Sequence, residues 1–164
     1  MSTYVVFDGD NDQWAYRYVR GWHANPRIPF QFVDSHDLDN MTSRAQNEDY
    51  VKSKLRERMR QSTAVMVLIG NSTKNLFRFV RWELELALSL DLPIIAVNLN
   101  ESRVQDSLCP PIIRDHCVVH VPFKLKAIEH AIRHWPTEFQ HLSRTERAGG
   151  ARHYGTDQYR SWGL

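Results

Sequence analysis

Short apolar runs alternate along this chain with longer stretches in which apolar positions recur every three or four residues, the pattern of a parallel sheet with helices on both faces. Tyr4 to Phe7 predicts a first strand. Asp12 stands where it can cap a helix reaching about Trp22, with Trp14, Tyr18 and Trp22 at four-residue steps. Phe30 to Val33 reads as a second strand. Asn47 is placed to cap a helix whose first turn carries Glu48 and Asp49 and whose later turns carry Lys54, Arg56, Arg58 and Arg60, the order of charge that suits the helix dipole. Val51, Leu55 and Met59 face inward on it. Ala64 to Ile69 is apolar at every position, as a strand covered on both faces must be. The turn Gly70-Asn-Ser-Thr73, a helix carrying Glu83 to about Leu90, strands at Pro93 to Val97 and Cys117 to Val121, and a helix from Lys124 to Trp135 complete the pattern.

This succession predicts an α/β flavodoxin-like three-layer fold with a five-stranded parallel sheet in the order 2-1-3-4-5. Residues 1–136 form the domain and 137–164 a C-terminal tail. Ser143 to Arg152 lacks apolar periodicity and is expected to be mobile or loosely docked, whereas Tyr154 to Leu164, with Tyr159 and Trp162, is expected to pack back on the domain or meet another subunit. In the predicted order the loops after the first and third strands diverge and leave a crevice at the carboxyl edge. Asp8, Asp10, Asn11 and Asp12 come to it from the first loop, and Gly70 to Thr73 from the second, together with Trp82 and Glu83 at the start of the helix after it.

Composition narrows the classes. Lysine and arginine total 21 against 19 aspartates and glutamates, too even a balance for a nucleic-acid or membrane footprint. Cys109 and Cys117 lie in unlike surroundings and suit a reducing compartment. No window approaches the ~18 apolar residues of a membrane helix, and no leader pattern opens the chain, so a soluble, cytoplasmic protein is expected. No metal site is expected either. Asp8, Asp10 and Asp12 could converge on a hard cation, but the EF-hand pattern is not completed and helix capping with solvation accounts for them. His23, His36 and His116 lack helical metal spacing and read as surface residues. A phospho-receiver domain is excluded because the third strand ends Ile69-Gly70-Asn71, with no aspartate to accept a phosphoryl group.

On residue type and position, Glu83 suits either a solvated carboxylate paired with its helix dipole or a catalytic group. Trp82 suits either core packing or stacking on a ligand ring. Glu85, two residues on, points about 200° away around the helix and reads as a surface charge.

The run Val6-Phe-Asp-Gly-Asp-Asn-Asp12, then Arg20-Gly-Trp-His-Ala-Asn25, Phe32-Val-Asp-Ser35, Val51 to Ser62, Val67-Leu-Ile-Gly-Asn-Ser-Thr73, Trp82-Glu83 and Leu92-Pro-Ile-Ile-Ala-Val97 resemble, in order, the TIR-like domain of the Thoeris ThsB type. Val6 and Gly9 stand where that family commonly has serine and tyrosine, and Phe77-Arg-Phe79 fills positions that usually include a serine and a tryptophan. The resemblance implies an antiphage enzyme that cleaves NAD as a substrate, without a separate cofactor, and forms a cyclic ADP-ribose isomer. That product would be read by a separate effector protein, and TIR-TIR self-association is the other partner it implies. Glu83 falls on the catalytic glutamate. Phe7, Asp8, Asp12, Trp14, Asp34, Ser35, Asn71 and Trp82 are the candidate substrate contacts. Helix position predicts that Glu83 stays ionised near neutrality, and the loop Ser35 to Gln46 is the expected lid. Two other classes remain open: an assembly adaptor without turnover, and a nucleoside or nucleotide glycosyltransferase on a similar fold.

Overall fold

The computed structural model describes residues 2–27, 31–33 and 48–164. Six strands and six α-helices are present among them: β1 (Ser2–Val6), α1 (Gln13–Ala24), β2 (Gln31–Val33), α2 (Glu48–Arg60), β3 (Ala64–Ile69), α3 (Val80–Ser89), β4 (Ile94–Asn98), β5 (Val119–Pro122), α4 (Leu125–His141), α5 (Arg144–Arg147), β6 (Arg152–His153) and α6 (Thr156–Ser161). The expected five-stranded sheet is overturned. The sheet has six strands in the order β2-β1-β3-β4-β5-β6, all paired in parallel. The extra strand is two polar residues long, too short to show a period in the sequence, and it pairs Arg152 with Val119 and His153 with His120.

Alternation along the strands divides the core in two. Val5, Phe7, Met66, Leu68, Ile95, Val97, Val119 and Val121 face α1 and α4, meeting Ala15, Tyr16, Val19, Ile128, Ile132 and Trp135. Tyr4, Val6, Val65, Val67, Ile69, Ile94 and Ala96 face α2 and α3, meeting Leu55, Met59, Val80, Leu84 and Ala87. Every residue of β3 and β4 is buried. Tyr4 is the one aromatic side chain of β1, and its buried hydroxyl must find a partner inside.

The last long helix runs past the point where the sequence pattern stops. α4 continues through Pro136 to His141, because Phe139 packs on Trp135 with ring centroids 5.8 Å apart and Arg147 lies over the Phe139 ring at 3.9 Å. The same guanidinium donates to the Phe139 carbonyl at 3.2 and 2.9 Å and pairs with Asp91. Ser143 and Glu146 close a capping box that starts α5. The following segment crosses the β5 edge as β6, and Tyr159 is driven to 1% exposure against α4. Among the described residues no helix is long and apolar enough to cross a membrane.

The Tyr159 hydroxyl has no hydrogen-bond partner among the described residues, while its ring packs edge-on against Trp162 at 5.1 Å and under the Arg103 guanidinium at 4.1 Å. The ring therefore carries the stabilisation. Tyr159→Ala is expected to cost about 3–5 kcal/mol, lowering Tm by roughly 6–20 °C for a chain of this size. Tyr159→Phe, which removes only the unpaired hydroxyl, should leave Tm unchanged or raise it.

Candidate functional site

In this strand order β1 and β3 are neighbours whose following segments leave toward opposite faces, the switch point at which open α/β sheets bind ligands. The two loops that meet there are tied together. Asp8, 1% exposed, accepts from the Asp10 and Asn11 backbone amides at 2.9 and 3.2 Å, from Asn11 Nδ2 at 2.9 Å and from Ser72 Oγ at 2.7 Å. Burial is the largest single influence on this carboxyl and opposes its charge, yet those donors together hold its pKa below the ordinary aspartate value. Its oxygens are thus taken by protein donors.

Asp12 stands at the N-cap of α1 but makes no capping hydrogen bond, contrary to the sequence expectation. Its carboxylate turns across to the third-strand loop, where Thr73 Oγ1 lies 3.4 Å away while accepting the Gly70 amide at 2.9 Å. Burial, then the charge of Asp8, raises the Asp12 pKa against the Thr73 hydrogen bond. Gly70 makes room for this packing, since a Cβ there would fall 2.4 Å from Asp12 Oδ2.

Glu83 lies deeper. It sits in the first turn of α3, where its amide donates to the Phe79 carbonyl at 2.8 Å, and it is 6% exposed. The Tyr4 hydroxyl donates to its carboxyl. Burial raises the Glu83 pKa to about 8 and the Tyr4 hydrogen bond only partly offsets it. The expectation of an anion near neutrality is therefore corrected: desolvation outweighs the helix dipole and the carboxyl is largely protonated at pH 7. Glu85 is exposed and pairs with Arg81 at 3.0 Å.

The remaining candidates spread over both layers. Trp82, half-buried on the α2 side, has Lys52 Nζ at 5.3 Å and the Arg56 guanidinium at 5.7 Å from its ring. Phe7 is buried in the opposite layer, stacked on Tyr16 at 4.3 Å. Trp14, 47% exposed, meets Phe123 edge-on at 5.6 Å. Asn71 is exposed in the β3 loop. Asp34, Ser35, the expected cap Asn47 and the expected lid lie outside the described residues. Asp8 and Asp12 are brought together with the Asn71 loop, and Glu83 and Trp82 share the α2–α3 layer, while Phe7 and Trp14 belong to the α1 side. Among the described residues no three or more His, Cys, Asp or Glu side chains group as a metal site. An open groove of about 200 Å³ runs between the segment from the β3 loop to the start of α3 and the later part of the β4–β5 connection, lined by Leu76, the exposed Phe77, Val80, Pro110 and Ile112 among others.

The sequence reading brought Gly70 to Thr73 to this crevice without giving Gly70, Ser72 or Thr73 a role, and it gave Tyr4 none. Tyr4 was announced by a phenol directly before two valines of the first strand, and Gly70 by a glycine directly after the central strand. Ser72 and Thr73 carry no signal beyond their place in a turn.

The family model for the Thoeris protein ThsB, TIR-like domain, matches residues 4–104. No curated protein matches the chain.

Two outcomes follow from this geometry. Gly70→Ala must push the Asp12 carboxylate away from Thr73 and is expected to cost about 1–3 kcal/mol in urea unfolding, with a smaller loss when it is made in an Asp12→Ala background. Glu83 has a folded pKa of about 8 against 4.5 unfolded. Its contribution to stability is complete below about 4.5 and declines as pH rises through about 8, at up to about 1.4 kcal/mol per pH unit. Glu83→Gln should flatten that part of the stability profile and be more stable than the parent above pH 8.

Proposed function

Because the chain belongs to the Thoeris ThsB TIR-like family, we propose that it breaks the nicotinamide–ribose bond of NAD and closes the product into a cyclic ADP-ribose isomer, an antiphage signal for a separate effector. The observation that carries this reading is Glu83 in the first turn of α3, at the β1 side of the sheet, with its carboxyl held by the Tyr4 hydroxyl. A catalytic carboxyl needs such fixing to act on one atom of a bound sugar.

The reaction suits a single carboxyl. Nicotinamide is a pyridinium in NAD and departs neutral, so its leaving needs no general acid. What the enzyme supplies is stabilisation of the cation left on the ribose anomeric carbon. A protonated Glu83 can hydrogen-bond a ribose hydroxyl but carries no charge. The pyridinium cation of bound NAD favours the ionised form, so docking of substrate releases the Glu83 proton to solvent and leaves a carboxylate as the glycosidic bond opens. The Tyr4 hydroxyl remains as donor to it. Capture by a hydroxyl or ring nitrogen of the same nucleotide gives a cyclic product, and capture by water gives linear ADP-ribose, so exclusion of water sets the outcome.

The assembly-adaptor reading draws on one specific observation: Glu83 is 6% exposed and the Trp82 ring is already engaged by Lys52 and Arg56. Self-association through TIR-TIR contacts is compatible with both readings. Free nicotinamide released from NAD, followed by chromatography, separates them. The enzyme reading predicts release that rises with pH toward about 8, a loss of about 100-fold or more in Glu83→Gln, and a rate midpoint moved to higher pH in Tyr4→Phe. Absence of release at every protein concentration and pH, with the fold intact, assigns the chain to the adaptor class.

A further inference from the structure

We infer that His130 and His134 on α4 form a binding site for a borderline divalent transition metal such as copper, nickel or zinc. Their four-residue spacing puts both imidazoles on one helix face, and the ring centroids are 4.3 Å apart. Two imidazoles sharing one ion at ~2.0–2.1 Å per bond have ring centres roughly 4.5–5 Å apart, so a small rotation of one ring suffices. The exposed His134 can make it. His130 is fixed, with Tyr154 edge-on at 4.9 Å and Trp162 at 5.0 Å.

The protonation state suits a ligand. Burial and then the neighbouring His134 lower the His130 pKa, since two imidazolium cations this close repel, and a neutral ring offers its nitrogen lone pair at pH 7. The nearest charged pair on the helix, Glu129 and Arg133, is closed on itself at 2.8 Å. No third His, Cys, Asp or Glu joins the group among the described residues, so water would complete the coordination and the ion would exchange readily, unlike a four-ligand structural zinc. Imidazole donors select copper, nickel and zinc over magnesium and calcium. An ion here bridges two turns of α4 at the seam where Tyr154 and Trp162 dock, and so favours the native chain.

Untagged full-length protein titrated calorimetrically with Cu²⁺, Ni²⁺ or Zn²⁺ should take up one ion per chain at this site, with no uptake of Mg²⁺. His134→Ala, at an exposed position, should weaken that binding at least tenfold and abolish the rise in Tm produced by Ni²⁺, whereas His141→Ala should change neither. Equal binding by the parent and His134→Ala, or a Ni²⁺-induced Tm rise that survives His134→Ala, overturns the assignment.

Discussion

A carboxyl group buried between α3 and β1 against a tyrosine hydroxyl is the constraint on which the proposed chemistry of this chain turns. A glutamate in the first turn of a helix gains about 0.3–1 kcal/mol for carrying charge. Displacing its pKa from 4.5 to about 8 corresponds to about 5 kcal/mol in the other direction. Burial wins by a wide margin. At neutral pH the resting state is then mostly the neutral acid, and a cation beside Glu83 shifts it toward the ionised form. In the proposed reaction the pyridinium ring of NAD is such a cation.

The three buried carboxyls of this face and its neighbouring loops show how local donors decide the outcome. Asp8 is buried too, at 1% exposure, yet two backbone amides, an amide side chain and a hydroxyl converge on it and keep its pKa low. Asp12 has the weaker Thr73 contact and the field of Asp8 against it, and its pKa rises. The ionised Asp8 fastens the β1 loop to the β3 loop through Ser72, a structural duty that leaves it few free lone pairs for a ligand. Glu83 has one donor among the described residues, the Tyr4 hydroxyl, and burial raises its pKa to about 8, which puts its protonation within reach of a bound cation near neutral pH.

Much of the layer arrangement was legible because strand and helix periods differ. Continuous apolar runs marked β3 and β4, and Leu55 with Met59 marked the inner face of α2. Glu83 was legible as a position but not as a protonation state. Its buried partner Tyr4 stands 79 positions away along the chain, a contact that residue type and local period do not reveal. Asp12 misled for a related reason: a capping residue type stood at a capping position, but tertiary contact with Thr73 and the space left by Gly70 offered its side chain another partner. β6 was invisible because two polar residues on a sheet edge are held by backbone pairing with β5, which leaves no mark on residue type.

The family match ends at residue 104, whereas β5, α4, β6 and α6 lie beyond it and complete the α1 side of the core. That side is sealed mostly by area. Trp135 Nε1 and the hydroxyls of Tyr154 and Tyr159 are buried without partners among the described residues, a cost that only extensive aromatic contact can offset. Glu83 is on the other side of the sheet, with Tyr4, Leu84 and Trp82. Substitutions in the C-terminal aromatic seam should therefore act on the site through global stability, leaving the local environment of the Glu83 carboxyl as it was. The sheet itself separates the two problems: the α4 face determines whether the chain folds, and the α3 face determines what its buried acid can do.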